Sequence, residues 1–278
     1  MSRVLLAVLA TLALAACASS PDASAPSSSA SRESSPSSEA PSSEAPSLEA
    51  PSREAPSSEA PSAPSSPSRS ASSPTGETWT RALPRFAATT SHVTPALQRR
   101  MRWSHRDGCP VPLDDLRYLR VSYVGFDGDA RTGDLVVHRE VADDVVSVFR
   151  RLYAARWPIA RMRLVDAYRG DDDLSMAADN TSAYNCRRVA GSTSWSEHAF
   201  GKAIDLNPVQ NPYVRSGSVD PPEGRRYADL DRSAGAPANP GVVREGDVVV
   251  RAFAEIGWEW GGNWASSKDY QHFSLSGR

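Results

Sequence analysis

Two histidines and two aspartates form a split motif in this sequence. His198 and Asp205 belong to the run Ser-Glu-His-Ala-Phe-Gly-Lys-Ala-Ile-Asp at residues 196–205, and Asp269 and His272 follow near its C-terminal end. Two imidazoles and one carboxylate make a set of three ligands that leaves one coordination position open, as in catalytic zinc sites. The pattern therefore predicts a zinc site formed by His198, Asp205 and His272, with Asp269 as the candidate general base.

The residues around the first half of the motif are suited to holding its ligands in place. Gly201 allows a bend or a close backbone approach, and residues 203–205 begin with a small and an apolar side chain that favour a buried strand. Such a strand would hold Asp205 rigidly. Asn207 or Ser196 could supply the hydrogen bonds that orient metal ligands.

The rest of the folded part predicts strands and helices that are segregated along the chain. Alternating apolar residues indicate strands, and apolar residues at helical spacing indicate helices. The predicted elements are a hairpin formed by residues 119–123 and 135–137, a helix near 141–155, a strand over 162–168 and a helix that ends at Gly257. This order favours an α+β fold, with an antiparallel sheet flanked by helices.

Residues 207–239 are rich in proline and glycine, so we predict that they are mostly loop. They lie between the two halves of the metal motif. Long irregular segments inside a domain are usually functional. We expect this one to form a wall of the substrate cleft, with a surface insert as the alternative.

The N-terminal end has the composition of a secretory signal. Arg3 precedes a short apolar run, and Leu-Ala-Ala at residues 14–16 directly precedes Cys17, which resembles the processing box of bacterial lipoproteins. We predict that residues 1–16 are a signal peptide and that the Cys17 thiol is lipidated. A cleaved signal without lipid is the alternative.

Residues 17–78 consist almost entirely of serine, proline, alanine and glutamate, with a repeated five-residue pattern. They cannot bury enough apolar surface to offset the loss of chain entropy, so we predict an extended, disordered tether. Residues 79–278 hold all seven tryptophans and are expected to form one domain. Acidic and basic residues nearly balance there, which gives no support for nucleic-acid binding.

Cys109 and Cys186 are the remaining cysteines of a chain that is expected to be exported. Thiols tend to be oxidised outside the cytoplasm, so we predict a disulfide between them. Two buried thiols, or a cysteine zinc ligand, are the alternatives.

The motif resembles the zinc-dependent D-alanyl-D-alanine carboxypeptidases and the related L-alanyl-D-glutamate endopeptidases, which cut peptidoglycan stem peptides. Their shared pattern is Ser-x-His-x-x-Gly-x-Ala-x-Asp followed by Asp/Glu-x-x-His. The matching positions are Ser196, His198, Gly201, Ala203, Asp205, Asp269 and His272. The resemblance extends from about residue 95 onward. It implies the fold shared by Hedgehog signalling domains and these D,D-peptidases, with one zinc ion per chain.

The resemblance also implies roles for residues beside the motif. Asp269 would take a proton from the attacking water and pass it to the leaving amine. Arg187 would bind the substrate carbonyl or carboxylate, with Arg188 as the weaker candidate. Ser196 would hydrogen-bond the bound peptide. Trp260 is a candidate substrate contact, with a place in the core as the alternative.

These observations support three hypotheses about function. The leading one is an exported lipoprotein peptidase, held at the outer face of the cell membrane and reaching into the wall, which removes the terminal D-alanine of stem peptides. The second is an endopeptidase that cuts between L-alanine and D-glutamate or in a cross-bridge. The third is an inactive zinc-containing binding module, against which the intact Asp269 argues. We expect a monomer in each case.

Overall fold

The computed structural model describes residues 82–278. The predicted signal peptide, the lipidated Cys17 and the predicted tether over residues 17–78 lie outside the described residues. Among residues 82–278, no helix is long and apolar enough to cross a membrane.

Short strands and helices alternate along the described chain. The strands are β1 (Ala88–His92), β2 (Leu116–Val124), β3 (Ala130–His138), β4 (Arg161–Met162), β5 (Asn180–Thr181), β6 (Ala203–Asp205), β7 (Tyr213–Arg215), β8 (Ser218–Asp220), β9 (Glu259–Trp260), β10 (Lys268–Asp269) and β11 (His272–Ser274). The helices are α1 (Pro95–Arg100), α2 (Ala142–Ala154), α3 (Asp172–Ala177) and α4 (Val248–Ala254). Short 3₁₀ segments cover Leu113–Asp115, Arg139–Val141, Val165–Tyr168, Glu197–Phe200, Pro222–Tyr227 and Gly261–Asn263. This is an α+β architecture with mostly antiparallel strands, as predicted.

Strands β1, β2 and β3 form an antiparallel sheet that supports the core. The β2–β3 hairpin pairs Leu119 with Leu135 and confirms the predicted hairpin. Helix α2 buries Val145, Phe149 and Leu152 in the same core cluster, which also confirms the predicted helix. Its acidic first turn complements the positive end of the helix dipole.

A second sheet, in the order β6-β11-β9, joins the two halves of the metal motif. Antiparallel pairing places His272 directly opposite Asp205 and Phe273 opposite Ile204. Opposed residues project from the same face of a sheet, and successive residues project from opposite faces. The ligand pair therefore lies on one face while Ile204 and Phe273 enter the core from the other, where both are completely buried.

The segment 207–239 is more ordered than predicted. It contains the β7–β8 hairpin, and β7 also pairs with β10, so that Tyr213 lies opposite Asp269. Farther along, the buried guanidinium of Arg232 donates to the carbonyls of Gln210, Tyr227 and Val243 and to the side chain of Asn211. These bonds give the loop carbonyls hydrogen-bond partners and so order the segment, which its proline and glycine content did not predict.

One other sequence prediction is wrong in detail. The strand expected over residues 162–168 is confined to Arg161–Met162, and Val165–Tyr168 form a 3₁₀ turn that ends at Arg169 with φ +60°. The acidic run that begins at Asp171 starts α3, because the Asp171 side chain caps the helix by accepting a hydrogen bond from the Leu174 amide.

The Cys109–Cys186 disulfide is present, as predicted, and closes a sequence separation of 77 residues. It lies in a second hydrophobic cluster with Leu97, Met101 and Tyr184. The crosslink fixes the chain immediately before Arg187, at the edge of the cleft described below.

Gly201 is required where the chain turns from His198 into β6. Its φ is +66°, and a Cβ atom at this position would lie 2.6 Å from the amide nitrogen of His138. That same amide donates a hydrogen bond of 2.9 Å to the Gly201 carbonyl. The sequence expectation of a close backbone approach is therefore confirmed.

Replacement of Gly201 by alanine should lower the free energy of unfolding by about 3 kcal/mol, since strain at positive φ and overlap with backbone add together. Gly191→Ala is the matched control, because Gly191 has φ +72° but nothing within 4 Å of the added Cβ. The control should cost only about 1 kcal/mol. Urea denaturation of both variants measures the difference, and equal losses would contradict the close-approach explanation.

Candidate metal centre and active site

Three side chains converge on the buried face of the second sheet. His198 comes from the 3₁₀ turn Glu197–Phe200, Asp205 from β6 and His272 from β11, and all three are buried. The Asp205 carboxylate lies 3.1 Å from Nε2 of His198 and 3.0 Å from Nδ1 of His272. One ligand atom from each of the three lies within 4.8 Å of the others. The structure thus brings together the predicted ligand set.

Backbone carbonyls select which nitrogen of each histidine faces the cluster. Nδ1 of His198 lies 2.6 Å from the Ala183 carbonyl oxygen, and Nε2 of His272 lies 2.9 Å from the Arg278 carbonyl oxygen. A carbonyl oxygen can only accept, so each of these nitrogens carries the proton. His198 Nε2 and His272 Nδ1 then face Asp205, and these are the two nitrogens that would offer lone pairs to a bound metal after losing a proton.

The donor set fits a divalent cation of zinc type. Two imidazole nitrogens and one carboxylate oxygen are ligands that zinc prefers, and a set of three leaves room for a further ligand. Both histidines already have the outer hydrogen bond that orients a metal-bound imidazole. Among the described residues, this is the cluster of histidine, cysteine and acidic side chains that could hold a metal.

Electrostatics keep Asp205 ionised. Burial alone would raise the pKa of Asp205, but the charges of His198 and His272 and the hydrogen bonds from both rings outweigh it and hold the pKa well below its usual range. Burial would likewise lower the pKa of His272, but its hydrogen bond to Asp205 and the charges of Asp205 and Asp269 raise it to about 9.

Asp269 lies beside this cluster in β10 without taking part in it. Burial raises the pKa of Asp269 to about 7, and the charge of His272 opposes that rise. Its Oδ1 atom is buried and has no hydrogen-bond partner among residues 82–278. The neighbouring amine of Lys268 donates instead to the Gly262 carbonyl. Asp269 itself is half-buried, and a carboxyl group with one unpartnered oxygen and a pKa near neutrality suits proton transfer.

The cluster and Asp269 open into a cleft of about 680 Å³. Residues 207–239 form part of its wall, as expected, with Tyr213, Arg215 and Asp220 of the β7–β8 hairpin. Helix α3 contributes Asp172, Asp173 and Met176. The volume suits a short peptide segment, since ligand pockets typically range from about 300 to 1,000 Å³.

The two candidate arginines differ in position. Arg187 lines the cleft and pairs with Asp172 at 2.6 Å. Arg188 is exposed, lies 3.5 Å above the ring centroid of Trp195 and donates to the Thr193 carbonyl. Adjacent side chains in extended chain point in opposite directions, so only Arg187 reaches the cleft. The structure does not support the substrate contact expected of Arg188, because its side chain packs on Trp195 outside the cleft.

The other two predicted substrate contacts, Ser196 and Trp260, also lie in different surroundings. Ser196 lines the cleft, but its hydroxyl accepts a hydrogen bond from the His198 amide and caps the turn that carries this ligand. Trp260 lies in the main core, paired with Phe273 across β9 and β11, and its ring nitrogen donates to the Tyr270 carbonyl. A cleft role for Trp260 is therefore wrong, because its strand position faces the core.

Sequence reasoning missed several residues of the site. Trp264 packs its ring against His272 at 5.7 Å and against Tyr213 at 6.4 Å, and all three line the cleft. Gln271 also lines the cleft beside the metal cluster. Period-two alternation from His272 would have directed Gln271 to the opposite face, but β11 begins only at His272, so that rule does not extend to Gln271.

Metal binding should release a proton, because the raised pKa of His272 keeps its imidazole charged below about pH 9 whereas a ligating Nδ1 must be neutral. Apparent zinc affinity should therefore rise about tenfold per pH unit between pH 6 and 8 and level off above 9. Calorimetric titration in buffers of different ionisation enthalpy counts the protons. Asp269→Asn should keep this release, and zinc binding without proton release would contradict the protonation state.

Comparison with known proteins agrees with the site. Residues 190–275 match the family model described as D-alanyl-D-alanine carboxypeptidase. No curated protein and no solved structure gave a match to the chain. The matched segment contains His198, Asp205, Asp269 and His272. The resemblance found in the motif is thus confirmed: the segment that carries this metal centre is similar to the D-alanyl-D-alanine carboxypeptidase family over residues 190–275.

Proposed function

We propose that the protein is a zinc-dependent peptidase of peptidoglycan stem peptides and that it removes the terminal D-alanine. The observation that carries this proposal is the buried His198–Asp205–His272 cluster beside Asp269, whose Oδ1 atom has no hydrogen-bond partner among the described residues, in a cleft of peptide size. We also propose that the domain has the fold shared by Hedgehog signalling domains and D,D-peptidases.

A bound zinc ion would supply Lewis acidity for the scissile carbonyl and make water a better nucleophile at neutral pH. The protein's own residues supply the rest. Asp269 holds an unpaired Oδ1 that can accept a proton from the attacking water and deliver it to the leaving amine. The nearby positive charge of a cation would lower the pKa of Asp269 and favour its ionised, basic form.

Arg187 supports removal of a C-terminal residue. Its guanidinium lies in the cleft, its Nε atom is buried without a partner among the described residues, and its pairing with Asp172 leaves other donors available. A planar guanidinium is well suited to a substrate carboxylate. Hydrolysis within the stem peptide is the second candidate, since an arginine can equally bind an internal carbonyl or side-chain carboxylate.

The N-terminal sequence completes the proposal. A signal peptide over residues 1–16, a lipid on Cys17 and the tether over residues 17–78 would place a monomeric domain outside the cell membrane, within reach of the wall. Each of these features agrees with a substrate in the cell wall.

Purified protein incubated with muropeptides should shorten them by one alanine, and a chelator should abolish the reaction until zinc is restored. Mass spectrometry of the products identifies the bond. Products cut inside the stem peptide would select the endopeptidase. Unchanged muropeptides in the presence of zinc would contradict peptidase activity and leave a binding module.

Asp269→Asn should lower kcat by about 10²–10⁴, because loss of a positioned general base removes that range of rate acceleration. Zinc content should stay near one per chain, since Asp269 is outside the ligand cluster. Asp205→Asn is the matched control and should lose zinc together with activity. Metal analysis by mass spectrometry separates the two roles, and loss of zinc from Asp269→Asn would show that ligand and base are wrongly assigned.

A further inference from the structure

The two histidines of the metal cluster differ in what holds their outer hydrogen-bond acceptors. The acceptor for His198 is the carbonyl oxygen of Ala183, a residue that is almost completely buried. The preceding residue, Ser182, forms two main-chain hydrogen bonds with Asp205, at 2.9 and 3.1 Å. Main-chain hydrogen bonding therefore fixes the acceptor for His198.

The acceptor for His272 lies instead on a largely exposed segment, residues 275–278, which we call the return segment. The chain turns after β11, Gly277 takes φ +72°, and the backbone oxygen of Arg278 comes to 2.9 Å from Nε2 of His272. Within the described chain, Leu275 is the one member of the return segment that forms a main-chain hydrogen bond. Main-chain pairing thus does not hold the part of the segment that contacts His272.

Two side chains, those of Trp264 and Ser274, hold that part of the return segment. Trp264 Nε1 donates to the Gly277 carbonyl at 2.9 Å, and Ser274 Oγ donates to the backbone oxygen of Arg278 at 2.9 Å. The Arg278 oxygen therefore accepts from both Ser274 and His272, which uses both of its lone pairs. Trp264 also packs its ring against the His272 ring, with centroids 5.7 Å apart.

The orientation of the His272 ring decides whether it can bind a metal. Its Nδ1 atom faces Asp205 while Nε2, on the other side of the ring, is held by the Arg278 oxygen. If that oxygen were not fixed in place, the imidazole could rotate away from the cluster, and the hydrogen bond that increases its basicity would weaken. Removal of such outer partners typically lowers metal affinity or activity by about 10- to 100-fold.

We propose that Trp264 and Ser274 are positioning residues of the metal centre. By holding the return segment against His272, they keep its ring oriented and so set the affinity of the site for zinc. The inference rests on the zinc site of the proposed function and names the residues outside the ligand set that control it. Both residues act through His272 and not on the substrate bond.

The test measures the dissociation constant for zinc, by titrating metal-free protein in competition with a chromophoric chelator. Trp264→Phe keeps an aromatic ring beside His272 but removes the N–H donor, and Ser274→Ala removes the hydroxyl. Each substitution should weaken zinc binding about tenfold, and the double variant should approach about 100-fold.

A matched control makes the same two chemical changes elsewhere in the cleft. Trp195 and Ser194 both line the cleft, and their hydrogen bonds are made within residues 187–196. The double variant Trp195→Phe with Ser194→Ala should therefore keep the wild-type dissociation constant for zinc.

Thermal unfolding of each metal-free variant checks that it is folded, and if Ser274→Ala does not fold, Trp264→Phe alone decides. Wild-type zinc affinity in the test variants, or an equal loss of affinity in the control, would overturn the positioning role and leave the peptidase function standing. Wild-type protein that binds zinc tightly but leaves muropeptides intact would overturn the peptidase function and not this inference. Wild-type protein that does not bind zinc would overturn both.

Discussion

The antiparallel pairing of β6 with β11 is the constraint on which the rest of the site depends. Its register places Asp205 opposite His272, although the two residues come from motifs far apart in sequence. A shift of one residue would exchange faces, sending His272 into the core and Phe273 into the cleft. Ile204 and Phe273 oppose such a shift because both are completely buried on the other face.

Hydrogen bonds then fix the orientation of the metal-ligating side chains beside this strand pair. The carbonyls of Ala183 and Arg278 set the tautomers of the two histidines, and the turn ending at Gly201 presents His198 to the strand pair. The surroundings of the two aspartates then give their carboxyl groups different pKa values. Asp205 is surrounded by imidazoles and stays ionised, whereas burial dominates at Asp269 and raises its pKa to about 7. Different surroundings thus support different roles for one residue type.

The sequence was sufficient for the parts of the site that local pattern determines. The metal ligands, the β2–β3 hairpin and α2 follow from motif spacing and from periodicity. Trp260 could not be placed in this way, since its exposure depends on which face of β9 meets the core. Arg232 and the β7–β8 hairpin were not predicted. A buried arginine that donates hydrogen bonds to distant carbonyls leaves no periodic pattern in the sequence. Gln271 was missed because β11 begins only at His272, so strand alternation does not predict which way the preceding side chain points.

The central claim is that the fold directs His198 Nε2, His272 Nδ1 and one oxygen of Asp205 at a single metal ion. Diffraction from crystals of the zinc-loaded protein, measured at the zinc absorption edge, tests it most directly. We predict one anomalous peak, with these three atoms at about 2.0–2.2 Å from it and Asp269 outside bonding distance. A peak bound by Asp269, or by His198 Nδ1 or His272 Nε2, would contradict the account.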